Sequence, residues 1–175
     1  MSKKKKTIFI AIIALFVVID LVLVYFNFFK EDKITKETFT NKFVSFEYTS
    51  DYVVKEYSDN KISLGKDEKS GQIDIVITEL TPEMLLKDHG FIVYEATQKF
   101  IKENEDYYQN YYGSFKTPNY EVKDFLYDAD NGNQVDMNYI IANKKLVLIS
   151  YANTNEYFDV YEPYVLDLIQ SIKIS

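Results

Sequence analysis

Four consecutive lysines, Lys3 to Lys6, run straight into an apolar stretch from Thr7 to Phe29 that holds a single charge, Asp20. A helix rises ~1.5 Å per residue, so such a run reaches roughly 35 Å and can cross a hydrocarbon core about 30 Å thick with some tilt. The stretch is read as a retained membrane span, and the remainder of the chain must fold as a separate tethered unit. Beyond the span Lys30 and Lys33 are offset by Glu31 and Asp32. The positive-inside bias therefore places residues 1–6 in the cytoplasm and residues 30–175 outside. A cleaved signal peptide would need an apolar core of about 7–15 residues and a small-residue cleavage site. Here the exit reads Val24-Tyr25-Phe26-Asn27-Phe28-Phe29, and the chain has no cysteine to carry a lipid.

Asp20 lies past the midpoint of the span, where an ionised carboxylate costs ~2.5–3.5 kcal/mol. It is a candidate contact with a neighbouring helix, which would make the anchor an assembly element. The plain alternative is one protonated acid outweighed by its Ile, Val, Leu and Phe neighbours.

Residues 30–42 are charged, lack a sustained apolar period and read as a juxtamembrane linker, leaving residues 43–175 for one ordinary domain. The chain carries −7; residues 1–29 contribute +3, four lysines less Asp20, so the outer part carries −10. Charge of that sign repels nucleic acid and anionic headgroups and favours neutral, cationic or divalent-metal partners. With no cysteine, stability rests on the core alone.

From Phe43 the pattern is one of short β segments: Phe43–Tyr48, Tyr52–Tyr57 and Lys61–Leu64, then Gln72–Leu80 with Ile73, Ile75 and Ile77 on one face. Thr81-Pro82-Glu83 supplies an N-cap, a first-turn proline and an acid, so a helix starts there. Gly90 ends or breaks it. A second helix is expected from Phe91 to about Glu105, with Phe91, Tyr94, Gln98 and Ile101 along one side and Ile92, Ala96 and Phe100 beside them. Residues 104–119 read as irregular. Tyr120–Tyr127, Gln134–Ile141 and Lys145–Ala152 form a meander through Asn131-Gly132 and Asn143-Lys144 turns. In its middle strand Gln134, Asp136 and Asn138 are expected to face solvent. Leu146-Val147-Leu148-Ile149 is apolar on both faces and belongs at the sheet centre. A helix over residues 156–170 and a short strand over 171–174 close the chain. The fold class is α/β of the α+β kind, an antiparallel sheet flanked by helices.

The opening Phe43-x-x-Phe46-x-Tyr48, the following Asp51-Tyr52-Val53-Val54, and the ending Tyr161-x-Pro163 with Ile169-x-Ser171-Ile172-Lys173-Ile174 together resemble the PsbP-like superfamily. These are small α/β domains common as secreted or membrane-tethered bacterial proteins. Thr49 stands where proline is frequent and Tyr52 where tryptophan is frequent. The resemblance covers about residues 41–175, implies a non-enzymatic binding or scaffold role, and supplies no catalytic residues.

Three groups of residues invite chemistry. Asp128, Asp130, Asn133 and Asp136 surround Gly132 in an oxygen-rich turn that could hold Ca²⁺ weakly, in the millimolar range. The register is not that of an EF-hand, since Gly132 falls fifth and Tyr139 twelfth when counted from Asp128. A hairpin turn with solvated acids accounts for the same residues. His89 has no local nucleophile or orienting group and reads as a helix C-terminal residue favoured by the dipole. The run containing Tyr107, Tyr108, Tyr111 and Tyr112 is the candidate contact surface for a protein partner, a second copy of the chain, or a glycan. Its plain reading is composition, with some rings covering a sheet edge. Glu103 and Glu105 make no spaced acid pair for glycoside chemistry. No catalytic residue is assigned. The expectation is a membrane-anchored extracytoplasmic binding or adaptor domain; a glycan or Ca²⁺ module is the alternative, and a carboxylate-dependent hydrolase a third reading.

Overall fold

The computed structural model describes residues 35–175. The apolar segment 7–29, with Asp20, lies outside them, and among the described residues no helix is long and apolar enough to cross a membrane. Within them ten strands and three helices come in the order β1 (Lys36–Thr40), β2 (Val44–Thr49), β3 (Val53–Ser58), β4 (Lys61–Gly65), β5 (Gln72–Glu79), α1 (Pro82–Leu85), α2 (His89–Glu103), β6 (Tyr107–Lys116), β7 (Glu121–Ala129), β8 (Asn133–Ala142), β9 (Lys145–Thr154), α3 (Asn155–Ser171) and β10 (Lys173–Ile174). β3-β4-β5-β9-β8-β7-β6 make a seven-stranded sheet and β1-β2-β10 a small one. All the pairings are antiparallel.

β9 is central, as its two apolar faces require. Val147, Ile149 and Tyr151 are buried on one side, together with Ile73, Ile75 and Ile140 of the neighbouring strands. α3 closes this face with Phe158, Val165, Leu168 and Ile169, assisted by Val44 and Phe46 of the small sheet. On the other side Leu146 joins Phe125, Tyr127, Met137 and Tyr139 under α2. The β8–β9 turn places Asn143 and Lys144 at φ 49° and 62°, the left-handed pair that a two-residue hairpin demands. Asn143 also donates its side-chain amide to the Ile174 carbonyl at 2.7 Å, and the Ile174 N–H donates to the Tyr120 hydroxyl at 2.9 Å, tying β10 to the large sheet. At the opposite end of β10 the Ser171 hydroxyl accepts the Glu47 N–H at 2.8 Å.

Five expectations are corrected. β1 lies inside the expected linker, so the folded unit already includes residues 36–40. Residues 107–116 are a strand, not irregular: β6 is exposed on much of both faces, so it carries no apolar alternation to read. Thr81 does cap α1, accepting the Met84 N–H at 3.3 Å. Gly90, however, sits inside the first turn of α2, because Asp88 provides that helix's cap by accepting the Gly90 N–H at 2.8 Å. The buried side of α2 is Ile92, Val93 and Thr97, with Phe91, Tyr94 and Gln98 exposed. Finally, Asp136 and Asn138 do not face solvent; α3 covers them.

Ile149 is fully buried at the sheet centre, whereas Val160 on α3 is exposed. Ile149→Ala is expected to lower unfolding free energy by about 2–5 kcal/mol and Val160→Ala to leave it within about 0.5 kcal/mol. Urea midpoints followed by tyrosine fluorescence check both.

Candidate binding site at the β6 end of the sheet

β6 ends the large sheet, and its side chains divide between two faces. Register fixes the division: Tyr112 lies opposite Phe125, whereas Tyr111 lies opposite Leu126, and a bulge between Gln109 and Tyr111 leaves Asn110 unpaired. Asn110 spends its side-chain amide on Asp128 Oδ2 at 2.6 Å. Tyr107 is half-buried against Phe100 of α2, with ring centroids 5.8 Å apart. The Tyr112 ring packs against Phe125 with centroids 4.7 Å apart and the planes tilted by 34°. Tyr108 and Tyr111 fall on the α3 side. The four tyrosines therefore do not form one patch.

What does come together is a cleft between the start of α2 and the β6–β7 edge. Gly90, Val93, Tyr94, Gln109, Tyr112, Lys123 and Phe125 line it, and its volume is ≈ 330 Å³. Tyr94 and Tyr112 are 57% and 56% exposed, so their rings are open to a ligand. Lys123 lies within hydrogen-bonding distance of Glu121, 2.6 Å from its Oε1. Across Val93 and Lys123 a second hollow of ≈ 230 Å³ continues to His89, Asn119 and Tyr139. On the far side of α2 an apolar groove of ≈ 490 Å³ runs over Val76, Met84, Ala96, Phe100, Met137 and Leu148. α2 thus lies on the sheet without sealing either flank. Aromatic faces beside an amide and an ammonium form a surface suited to binding.

His89 is the first residue of α2, not a C-terminal one, so the expected dipole contact is with the wrong helix end. Asp128, Asp130, Asn133 and Asp136 belong to a β7–β8 hairpin in which Gly132 adopts φ 81° and donates its N–H to the Ala129 carbonyl at 3.0 Å. Asp128 accepts from Asn110 and Gln134, Asn133 borders a different hollow, and Asp136 is under α3. Among the described residues no three carboxylates or histidines group to hold a metal ion.

A carboxyl cluster that the sequence pattern hid sits beneath α3. Asp136 is 6% exposed and accepts from the Asn138 amide at 2.6 Å through Oδ2, leaving Oδ1 without a donor. Asp124, from β7, reaches within hydrogen-bonding range, and Glu162 of α3 adds negative potential. Burial first, and then Asp124, push the Asp136 carboxyl up to about 8. A neutral Asp136 carboxyl relieves the repulsion from Asp124 beside it. Burial likewise raises Glu162. None of the hollows bordering α2 is lined by these acids.

The folded Asp136 keeps its proton up to about 8, while the unfolded one loses it near 3.8. The native state therefore binds more protons between those values, and stability falls as pH rises, by up to about 1.4 kcal/mol per unit from this group. Asp67 and Glu121 are shifted down and act with the opposite sign. Asp136→Asn keeps the shape, can donate to Asp124 and does not titrate. It is expected to raise stability at pH 8 more than at pH 5; equal gains at both would contradict the upward shift of Asp136.

No protein-family model matches the chain, and no curated protein matches it. Among solved structures it is similar to the solution structure of cyanobacterial PsbP (CyanoP) from Synechocystis sp. PCC 6803, with TM-score 0.60 and 10% identity over 83% of this chain and 96% of that one. A Bacteroides thetaiotaomicron crystal structure gives TM-score 0.49 at 10% identity, over 75% and 45% of the two chains. A Pseudomonas aeruginosa protein of unknown function gives 0.43 at 12%, over 77% and 94%. The fold is PsbP-like.

Proposed function

We propose that this chain is a single-pass, membrane-anchored extracytoplasmic binding domain without catalytic activity, working as an adaptor in a cell-envelope assembly. The observation that carries the reading is the cleft of Tyr94, Gln109, Tyr112 and Phe125, which exposes aromatic surface on a rigid sheet edge beside Lys123. Its character is that of a protein-contact surface, where tyrosines supply large area at low conformational cost. The tether follows from Lys3–Lys6 and the apolar run 7–29. Asp20 is the contact candidate within the span. In support of a non-catalytic role, Asp136, the buried member of the acid group with Asp124 and Glu162, is covered by α3 and accepts from Asn138. A glycan is the second reading, since two exposed tyrosine rings flanked by Gln109 and Lys123 suit stacking on a sugar as well.

With a photoreactive phenylalanine analogue replacing Tyr112 in the full-length protein in its native membrane, irradiation is expected to give a recurrent protein adduct. Adding Tyr94→Ala should reduce its yield at least tenfold. Adducts to wall glycan alone would replace the adaptor reading by the second one, and no adduct of either kind would contradict both. In parallel, Asp20→Leu is expected to weaken co-purification of the same partner if the span takes part.

A further inference from the structure

The two edges of the large sheet are built differently. β3 is six residues long, is bulged after Val54 and has Lys55 in its middle. Short length, bulges and mid-strand charge are the devices by which proteins protect an edge against pairing. β6 is ten residues long and carries no charge from Tyr107 to Phe115, and no proline. Its outer edge is paired with no described strand. The bulge at Asn110 is the one such device it has, and Tyr111–Lys116 beyond it pairs with β7 without a break.

Charge says what fits there. Glu105 and Asp106 precede the strand and Lys116 ends it, all three exposed. Glu121, opposite Lys116, is bonded to Lys123 instead. The pattern is acidic at one end, neutral for nine residues and basic at the other. It is complementary to itself read in the opposite direction and repulsive to itself read in the same one. An acidic domain meets its own copy with least repulsion along this strip. We infer that β6 is the seam of a symmetric dimer, in which two copies pair this strand antiparallel about a two-fold axis near Tyr111. Each residue then meets the one equally far beyond the axis, so Asp106 faces Lys116 of the second copy and Tyr108 faces Ser114. The two sheets become one continuous sheet, and the main-chain groups of the outer edge are paired. The bulge adds twist, which a seam of two strands accepts. This seam uses backbone and the strand's outer edge, and rests on neither the tether nor the cleft.

The chain has no cysteine, so single cysteines report without background. Full-length single-cysteine variants at each of Tyr108, Gln109, Asn110, Tyr111, Tyr112 and Ser114 would be oxidised in the native membrane. Disulfide-linked dimer is expected to peak at or beside Tyr111 and to fall at least fivefold by Tyr108 and Ser114. Coexpressing Tyr108→Cys with Ser114→Cys should restore linkage. Equal linkage at every position would mean parallel stacking and would overturn the two-fold seam, as would no linkage anywhere. As a second measurement, Tyr111→Lys should raise the dimer dissociation constant at least tenfold by sedimentation with an unchanged circular-dichroism spectrum; an unchanged constant would overturn the seam. Tyr94→Ala, which disables the cleft, is expected to leave the Tyr111→Cys linkage intact, so failure of the adaptor reading and failure of the seam are told apart.

Discussion

Everything in this fold depends on the β8–β9 hairpin having to be buried on both faces at once. Val147, Ile149 and Tyr151 point one way and Leu146 and Leu148 the other. A strand so patterned is stable only at the middle of a sheet with a cover on each side. α3 and the small sheet supply one cover, and α2 the other. The Asn143-Lys144 turn sets the register that keeps these faces apart, since a slip of one residue would exchange them. The covers are unequal. α3 brings four buried side chains and its end is bonded into β2, whereas α2 leaves hollows on both flanks. The binding candidates border α2 for that reason.

Much of this was legible in the sequence, and the misses have physical causes. The alternation of Ile73, Ile75 and Ile77, the double-sided β9 and the Asn-Gly turn were readable because burial imposes period two and hairpins impose left-handed residues. β6 was not, because an edge strand exposed on both faces shows no alternation. The inward side of α2 was misplaced because Phe91 and Tyr94 look like core residues by type. They are surface residues, and Tyr94 became half of the cleft. Asp136 and Asn138 were missed in the same way, read as a solvent face by type when α3 covers them, and Asp124 was not singled out at all. Strand register alone could have placed Asp124 opposite Asn138. What the sequence lacked was a signal that α3 would cover this side of β8.

The polar chemistry of the domain is therefore split. Its convergent acids centre on the buried Asp136 under the stronger cover, while its open surfaces are aromatic and lie where the weaker cover ends. A PsbP-like sheet is a scaffold and does not set function by itself. On this one the sequence places tyrosines along an unguarded edge and around a cleft beside it, and the adaptor reading and the dimer seam are two uses of that same end.

The most direct test is backbone hydrogen exchange of the full-length protein, compared between its native membrane and dilute detergent. If contacts are made at the β6 end, residues 107–116 lose protection on dilution while residues 53–58, at the other edge of the sheet, exchange alike in both. Unchanged exchange across 107–116, or a change confined to 53–58, would contradict the account.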